Sequence, residues 1–130
     1  MARPASKHPT QLELEILKIL WRDGPGNVRA VRDALAPWRD LAYTSVMTTM
    51  NIMTKKGFLR RSKDGPTWTY HPRVTQKTTS RRMLGDLVDR LFDGSTTLAM
   101  TNLLEASDID PEELQTLRAL LIKKSQEESS

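Results

Sequence analysis

Apolar residues run at helical spacing, then at strand spacing, then at helical spacing again. Leu12, Ile16, Ile19 and Leu20 recur at i, i+4, i+7 and i+8, one face of an α-helix. Leu14, Leu17 and Trp21 form a second stripe, so this first helix is expected to lie buried between neighbours. Thr10-Gln11-Leu12-Glu13 is a capping box at its start: the hydroxyl bonds a free N–H and the carboxylate reaches back. Asp23-Gly24-Pro25-Gly26 ends it after about Arg22. Asn27 caps a second helix, about Val28 to Ala36, with Val28, Val31 and Leu35 inward, and Pro37 stops it. A third helix is predicted from about Ala42 to Lys56, with Val46, Met50 and Met53 apolar and Met47 partly covered. Gly57 supplies its left-handed C′ position, and Phe58 can fold back on Met53.

The period then changes. Phe58 to Lys63 and Thr67 to His71 are rich in strand formers, and Asp64-Gly65-Pro66 between them reads as a turn. The result is a β-hairpin with a basic tip. Beyond it, Met83, Leu84, Leu87, Val88, Leu91 and Phe92 share one side of a helix predicted from about Thr75 to Asp93. Ser95 caps a helix of roughly Thr96 to Ala106 with Leu98, Leu103 and Leu104 apolar. Asp110-Pro111-Glu112-Glu113 is a dense helix start. The last helix is expected to reach about Lys124, with Leu114, Leu117, Leu120 and Leu121 inward. Residues 1–9 and 125–130 read as loose tails, 10–74 as one domain and 75–124 as a second, helical one.

Charge sharpens this division. The 130 residues carry a net +4, but residues 1–75 hold 13 basic and 6 acidic side chains, whereas 76–130 hold 7 and 10. A basic front suits a polyanion, nucleic acid above all, because neutralising phosphates releases counterions. An acidic back suits a protein contact. With 0 cysteines, disulfides, thiolate metal sites and cysteine nucleophiles are excluded, and a reducing cytoplasm is the expected address. No apolar run approaches the ~18 residues of a membrane span. The first nine residues lack the apolar core of a secretory signal.

Three helices followed by a basic hairpin form a winged helix-turn-helix pattern, so the fold expected is mostly α with a small β wing and a C-terminal helical dimerisation domain. In that arrangement the third helix enters the major groove and the wing rides the backbone. Its outward face would carry Tyr43, Thr44, Ser45, Thr48, Thr49, Asn51 and Thr54, uncharged groups able to bond bases. An ordinary solvated helix would show Glu and Lys there. Phosphate contacts are expected from Lys55, Lys56, Arg60, Arg61 and Lys63, with Arg29, Arg32 and Arg39 extending the rim. The plain alternative is that Thr44 and Ser45 merely cap a helix whose lysines form a solvated end.

Leu41-Ala42-Tyr43-Thr44-Ser45-Val46-Met47-Thr48-Thr49-Met50, followed by Lys55-Lys56-Gly57-Phe58-Leu59, resembles the penicillinase repressor (BlaI/MecI/CopY) family. So do Leu12 to Leu17 with Trp21, and the strand Trp68-Thr69-Tyr70. The resemblance spans about Thr10 to Lys124. It implies a cytoplasmic homodimeric repressor of dyad-symmetric operator DNA, with base contacts carried over to Tyr43, Thr44, Ser45, Thr48 and Thr49. Methicillin-type relatives place an arginine where this chain has Met47, so that contact is absent. The resemblance also implies a wing that touches phosphates through Arg60, Arg61 and Lys63.

For the back half, the apolar set Met83, Leu84, Leu87, Val88, Leu91, Phe92, Leu98, Leu103, Leu104, Leu114, Leu117 and Leu121 is expected at a dimer interface. An intramolecular three-helix subdomain is the alternative. Copper-responsive members of the family release DNA through cysteines, which this chain lacks. Penicillinase-type members are cut by a membrane sensor-protease between an asparagine and a phenylalanine. The matching bond here is Asn102-Leu103, which keeps the asparagine only. No enzyme is expected: His8 and His71 are far apart in sequence, Asp108 and Asp110 read as a helix cap, and no cofactor motif is present. Two function classes stand at this stage, a DNA-binding repressor and a winged-helix protein–protein adaptor.

Overall fold

The computed structural model describes residues 8–129. The elements are α1 (Gln11–Asp23), α2 (Val28–Leu35), α3 (Tyr43–Lys56), β1 (Leu59–Asp64), β2 (Thr67–Pro72), α4 (Gln76–Leu91), α5 (Thr96–Ala106) and α6 (Pro111–Ser129). Each helix start expected from a capping residue is capped by it. Glu13 N–H donates to Thr10 Oγ1 while Thr10 N–H donates to Glu13 Oε1. Asn27, Ser95 and Asp110 accept from the N–H groups of Ala30, Leu98 and Glu113. α3 ends as its sequence requires: Gly57 is left-handed at φ 91°, and Phe58 N–H reaches Met53 O at 2.9 Å.

Two tail expectations need correction. The C-terminal stretch expected to be a tail is helical to Ser129, because Gln126, Glu127 and Glu128 are good helix formers and Lys124 pairs with Glu128 one turn on. At the other end Met1 to Lys7 lie outside the described residues, but Pro9 is buried and, with His8, lines a small cleft formed by Phe58, Val74 and Thr79. α4 is also shorter at both ends than its apolar pattern suggested.

The chain divides into two compact units, 1–85 and 86–130, the division falling inside α4. In the first, Ile16, Leu17 and Leu20 of α1, Val31 and Leu35 of α2, Val46, Met50 and Met53 of α3, and Leu59 and Tyr70 of the hairpin form one core with almost no solvent exposure. Each such side chain contributes about 1.5–3 kcal/mol when hidden from water. Trp21 ties the segment after the hairpin to α1 by donating its indole N–H to Val74 O at 2.9 Å.

β1 and β2 pair antiparallel from Leu59↔Pro72 to Asp64↔Thr67. Gly65 and Pro66 form the loop. Pro66 cannot take a positive φ, whereas Gly65 does (61°), so only the first loop position is left-handed and the turn follows the type II′ pattern. The hairpin is anchored inward as well. Tyr70 exchanges backbone hydrogen bonds with Gly26, at 2.8 and 3.2 Å, which joins β2 to the α1–α2 turn.

The second unit is built differently. Ala99 is the buried residue of α5, and α6 has none. Leu87, Leu91, Leu98, Leu103, Leu104, Leu114, Leu120 and Leu121 stay exposed, Leu91 at 64% and Leu103 at 58%. An intramolecular three-helix core does not form, because these helices do not cover one another's leucines.

Candidate nucleic-acid interface

The core decides what α3 shows to solvent. With Val46, Met50 and Met53 turned inward, the residues about half a turn away face out: Tyr43, Thr44, Ser45, Thr48, Ile52 and Lys55 are exposed. The N-cap of α3 is Ala42, which makes no side-chain capping bond. Thr44 and Ser45 therefore do not cap the helix. Among the described residues the hydroxyls of Thr44, Ser45 and Thr48 have no hydrogen-bond partner within the chain, so a strip of donors and acceptors lies open on one face.

Thr49 is placed less favourably than expected. It is half-buried and donates its hydroxyl proton to Ser45 O at 2.9 Å, which leaves it lone pairs for accepting only. Thr54 is back-bonded in the same way to Met50 O. Asn51 turns toward the wing. Ile52, 44% exposed, was missed in the sequence reading. Its position four residues after Thr48 puts an apolar group on the polar strip, where it could meet a thymine methyl or a sugar edge.

The expected cationic rim divides in two. Lys56 does not face outward as a phosphate anchor. Its Nζ donates to both oxygens of Glu13, at 3.1 and 3.0 Å, and Glu13 is 2% exposed. A buried carboxylate requires a paired cation, and Lys56 is that cation. Arg39 is likewise engaged: Nε donates to Glu15 Oε1 and Nη2 stands 2.8 Å from Oε2, which accepts no well-aligned hydrogen bond. Trp38 donates to the same Oε1 at 2.8 Å. The Arg39 hydrogen bond, reinforced by Trp38 and the nearby charges, holds the Glu15 carboxyl below its ordinary pKa against a smaller opposing effect of desolvation. Arg32 pairs with Asp33.

Lys55 and Arg60 make no ion pair among the described residues. Strand alternation separates the wing cations. Arg61 and Lys63 share one face with Leu59, Trp68 and Tyr70, while Arg60 stands on the other with Ser62 and His71. Arg61 lies 4.3 Å and Lys63 4.8 Å from the centre of the Trp68 ring. Ser62 Oγ and His71 Nε2 are 2.9 Å apart, which gives His71 a structural partner. Among the described residues, no group of three or more acidic or histidine side chains is arranged to hold a metal, and no helix is long and apolar enough to cross a membrane.

The family model described as penicillinase repressor matches residues 9–123, which covers α1 through most of α6. The chain belongs to the penicillinase repressor family. That is a family of transcriptional repressors, not enzymes. Among its relatives is the methicillin resistance regulatory protein MecI of Mammaliicoccus sciuri, 23% identical over 86% of this chain and 91% of that one. The penicillinase repressor of Bacillus licheniformis is 24% identical over 84% and 85%. The transcriptional regulator BlaI of Mycobacterium tuberculosis is 40% identical over a shorter stretch, 47% of this chain and 45% of that one.

The pairing of Lys56 yields a prediction that separates folding from binding. Lys56→Ala leaves Glu13 buried and uncompensated and should lower stability in urea unfolding by about 2–3 kcal/mol, somewhat under the usual loss for a broken buried pair because Lys56 is partly solvated. Arg60→Ala, exposed and without an ion pair among the described residues, should stay within about 0.5 kcal/mol of wild type. Equal stability of the two variants would contradict the assignment.

Proposed function

We propose that this chain is a dimeric repressor that binds dyad-symmetric operator DNA, with residues 10–74 as the DNA-binding part and 75–124 as the dimerisation part. The observation that carries this reading is the open strip of uncharged donors and acceptors on α3, beside a wing whose cations face solvent. Tyr43, Thr44, Ser45 and Thr48 read base edges, with Thr49 limited to accepting. Lys55, Arg60, Arg61 and Lys63 contact phosphates, which fix register without reading sequence. Arg39 and Lys56 act in folding first. Two copies present two such helices about 34–36 Å apart, one turn of duplex.

The exposed leucines of the second unit support self-association. Leucines left uncovered on three helices are the kind of apolar surface that marks an interaction site. A specific dimer hides roughly 800 Å² per partner. The names of the relatives support a β-lactam-resistance or related regulon, with the repressor acting in the cytoplasm. We further infer release by proteolysis at Asn102-Leu103 by a membrane sensor-protease. Asn102 sits inside α5, its Nδ2 donating to Leu98 O at 2.9 Å. A protease needs extended chain, so α5 must open locally. Within one copy that opening uncovers Ala99 alone, and in the dimer it also exposes the interface leucines of α5. The cut detaches Leu103, Leu104 and all of α6 from the rest, and a weakened dimer loses the avidity of two half-sites.

The DNA reading is tested with a duplex selected by the wild-type protein from a randomised pool, compared with a scrambled duplex of equal length. Log affinity should fall steeply with log salt. Thr44→Ala and Thr48→Ala should each cost about 1–3 kcal/mol on the selected duplex and little on the scrambled one, whereas Arg60→Ala should weaken both alike. A wild-type protein that ignores duplex DNA in dilute salt would leave the adaptor reading in its place. For self-association, Leu104→Asp with Leu121→Asp should shift the sedimenting species from dimer to monomer while the helical circular dichroism of the first unit persists. A monomeric wild type would refute it. For proteolysis, an intact band after incubation with a cognate membrane sensor-protease would dismiss the cleavage idea.

A further inference from the structure

Asn51 belongs to the polar face of α3, yet its side chain does not face out with Thr44 and Thr48. Its Oδ1 takes two donors from the wing, Tyr70 OH at 2.7 Å and Arg61 Nη1 at 3.1 Å. The orientation of the amide follows from chemistry: a guanidinium only donates, so the atom facing it is the carbonyl oxygen. Tyr70 is a fixed point, 1% exposed and bonded through its backbone to Gly26. Asn51 therefore binds α3, the wing and the α1–α2 turn into one frame.

The same contacts fix Arg61. Asn51 holds one terminal nitrogen, and the Trp68 ring lies 4.3 Å from the guanidinium carbon. The side chain remains exposed. Of five N–H donors one is used among the described residues. A planar group held at one nitrogen and lying over an aromatic ring is an oriented fork, whereas Lys63 over the same ring is a point charge.

We propose that Asn51 is a positioning residue that aims Arg61 as a bidentate phosphate contact, so that the wing anchor and the base-reading strip of α3 are set in one register. This rests on the DNA reading above. Trp68 completes the clamp, and Asn51 itself touches no DNA. The consequence is coupling: the value of Asn51 to binding is expressed through Arg61.

A double-mutant cycle on the selected duplex tests it, with urea unfolding of every variant as a control. Asn51→Ala should weaken binding roughly tenfold in the wild-type background and less than about twofold when Arg61 is already alanine, since residues acting as a unit are not additive. Arg61→Lys keeps the charge but loses the fork, and should fall nearly as far as Arg61→Ala. Additive losses, or an Arg61→Lys protein that binds like wild type, would overturn the proposal while the DNA reading stands. If Asn51→Ala does not fold, the Arg61→Lys arm decides. A wild-type chain that selects no duplex overturns both, and that result is seen before any variant is made.

Discussion

The rotation of α3 about its own axis is the constraint on which everything outward depends. Val46, Met50 and Met53 are each fully buried against α1, α2 and the hairpin. Successive helical residues turn by about 100°. A shift of one position would therefore bring Met47, Asn51 and Thr54 inward and turn all three core side chains away, losing several kcal/mol. The helix has one setting, and that setting exposes Thr44, Ser45, Thr48, Ile52 and Lys55. The polar strip is the complement of the core. Side chains that the core does not use are left free to bond something else.

The fate of the cations follows from where the acids lie. Glu13 serves twice: it closes the capping box of α1 and takes Lys56 as its counterion. Glu15, on the next turn-face, draws in Arg39 and Trp38. Both carboxylates belong to α1, so they neutralise the cations at the core side of the α2–α3 segment. The wing is different, because its acid, Asp64, sits at the turn. Among the described residues Arg60, Arg61 and Lys63 make no ion pair with a carboxylate. Two cations are restrained by an indole instead of an acid. An aromatic partner orients a guanidinium without neutralising it, which suits the phosphate contact proposed for Arg61.

The features legible in the sequence were those set by neighbours along the chain. Thr10 with Glu13, Asn27, Gly57 and Ser95 announce helix ends through contacts three or four residues away, and all act as expected. The period change at Phe58 marks the hairpin for the same reason. The functions of Lys56 and Arg39 were not legible, since Lys56 meets Glu13 43 residues earlier and Arg39 meets Glu15 24 residues earlier, and no local pattern records such a meeting. The separation of Arg60 from Arg61 and Lys63 was legible in principle, because strand alternation assigns it. The bend of Asn51 toward the wing was not, since the same amide on a free helix would simply face water.

The second unit obeys another logic. Its helices are well started by Ser95 and by Asp110, so local signals specify them as firmly as those of the first unit. What they lack is burial. Propensity and caps alone give helices only marginal stability in water, and tertiary packing normally supplies the rest. A chain that specifies three amphipathic helices and leaves most of their leucines exposed gains little of that term within one copy. In the proposed dimer such a unit would be conditional on assembly, and a repressor that must let go would benefit from that. The proposed DNA-reading half has a buried core of its own, whereas the half that would bring two copies together would rest on contacts that the proposed break in α5 would remove.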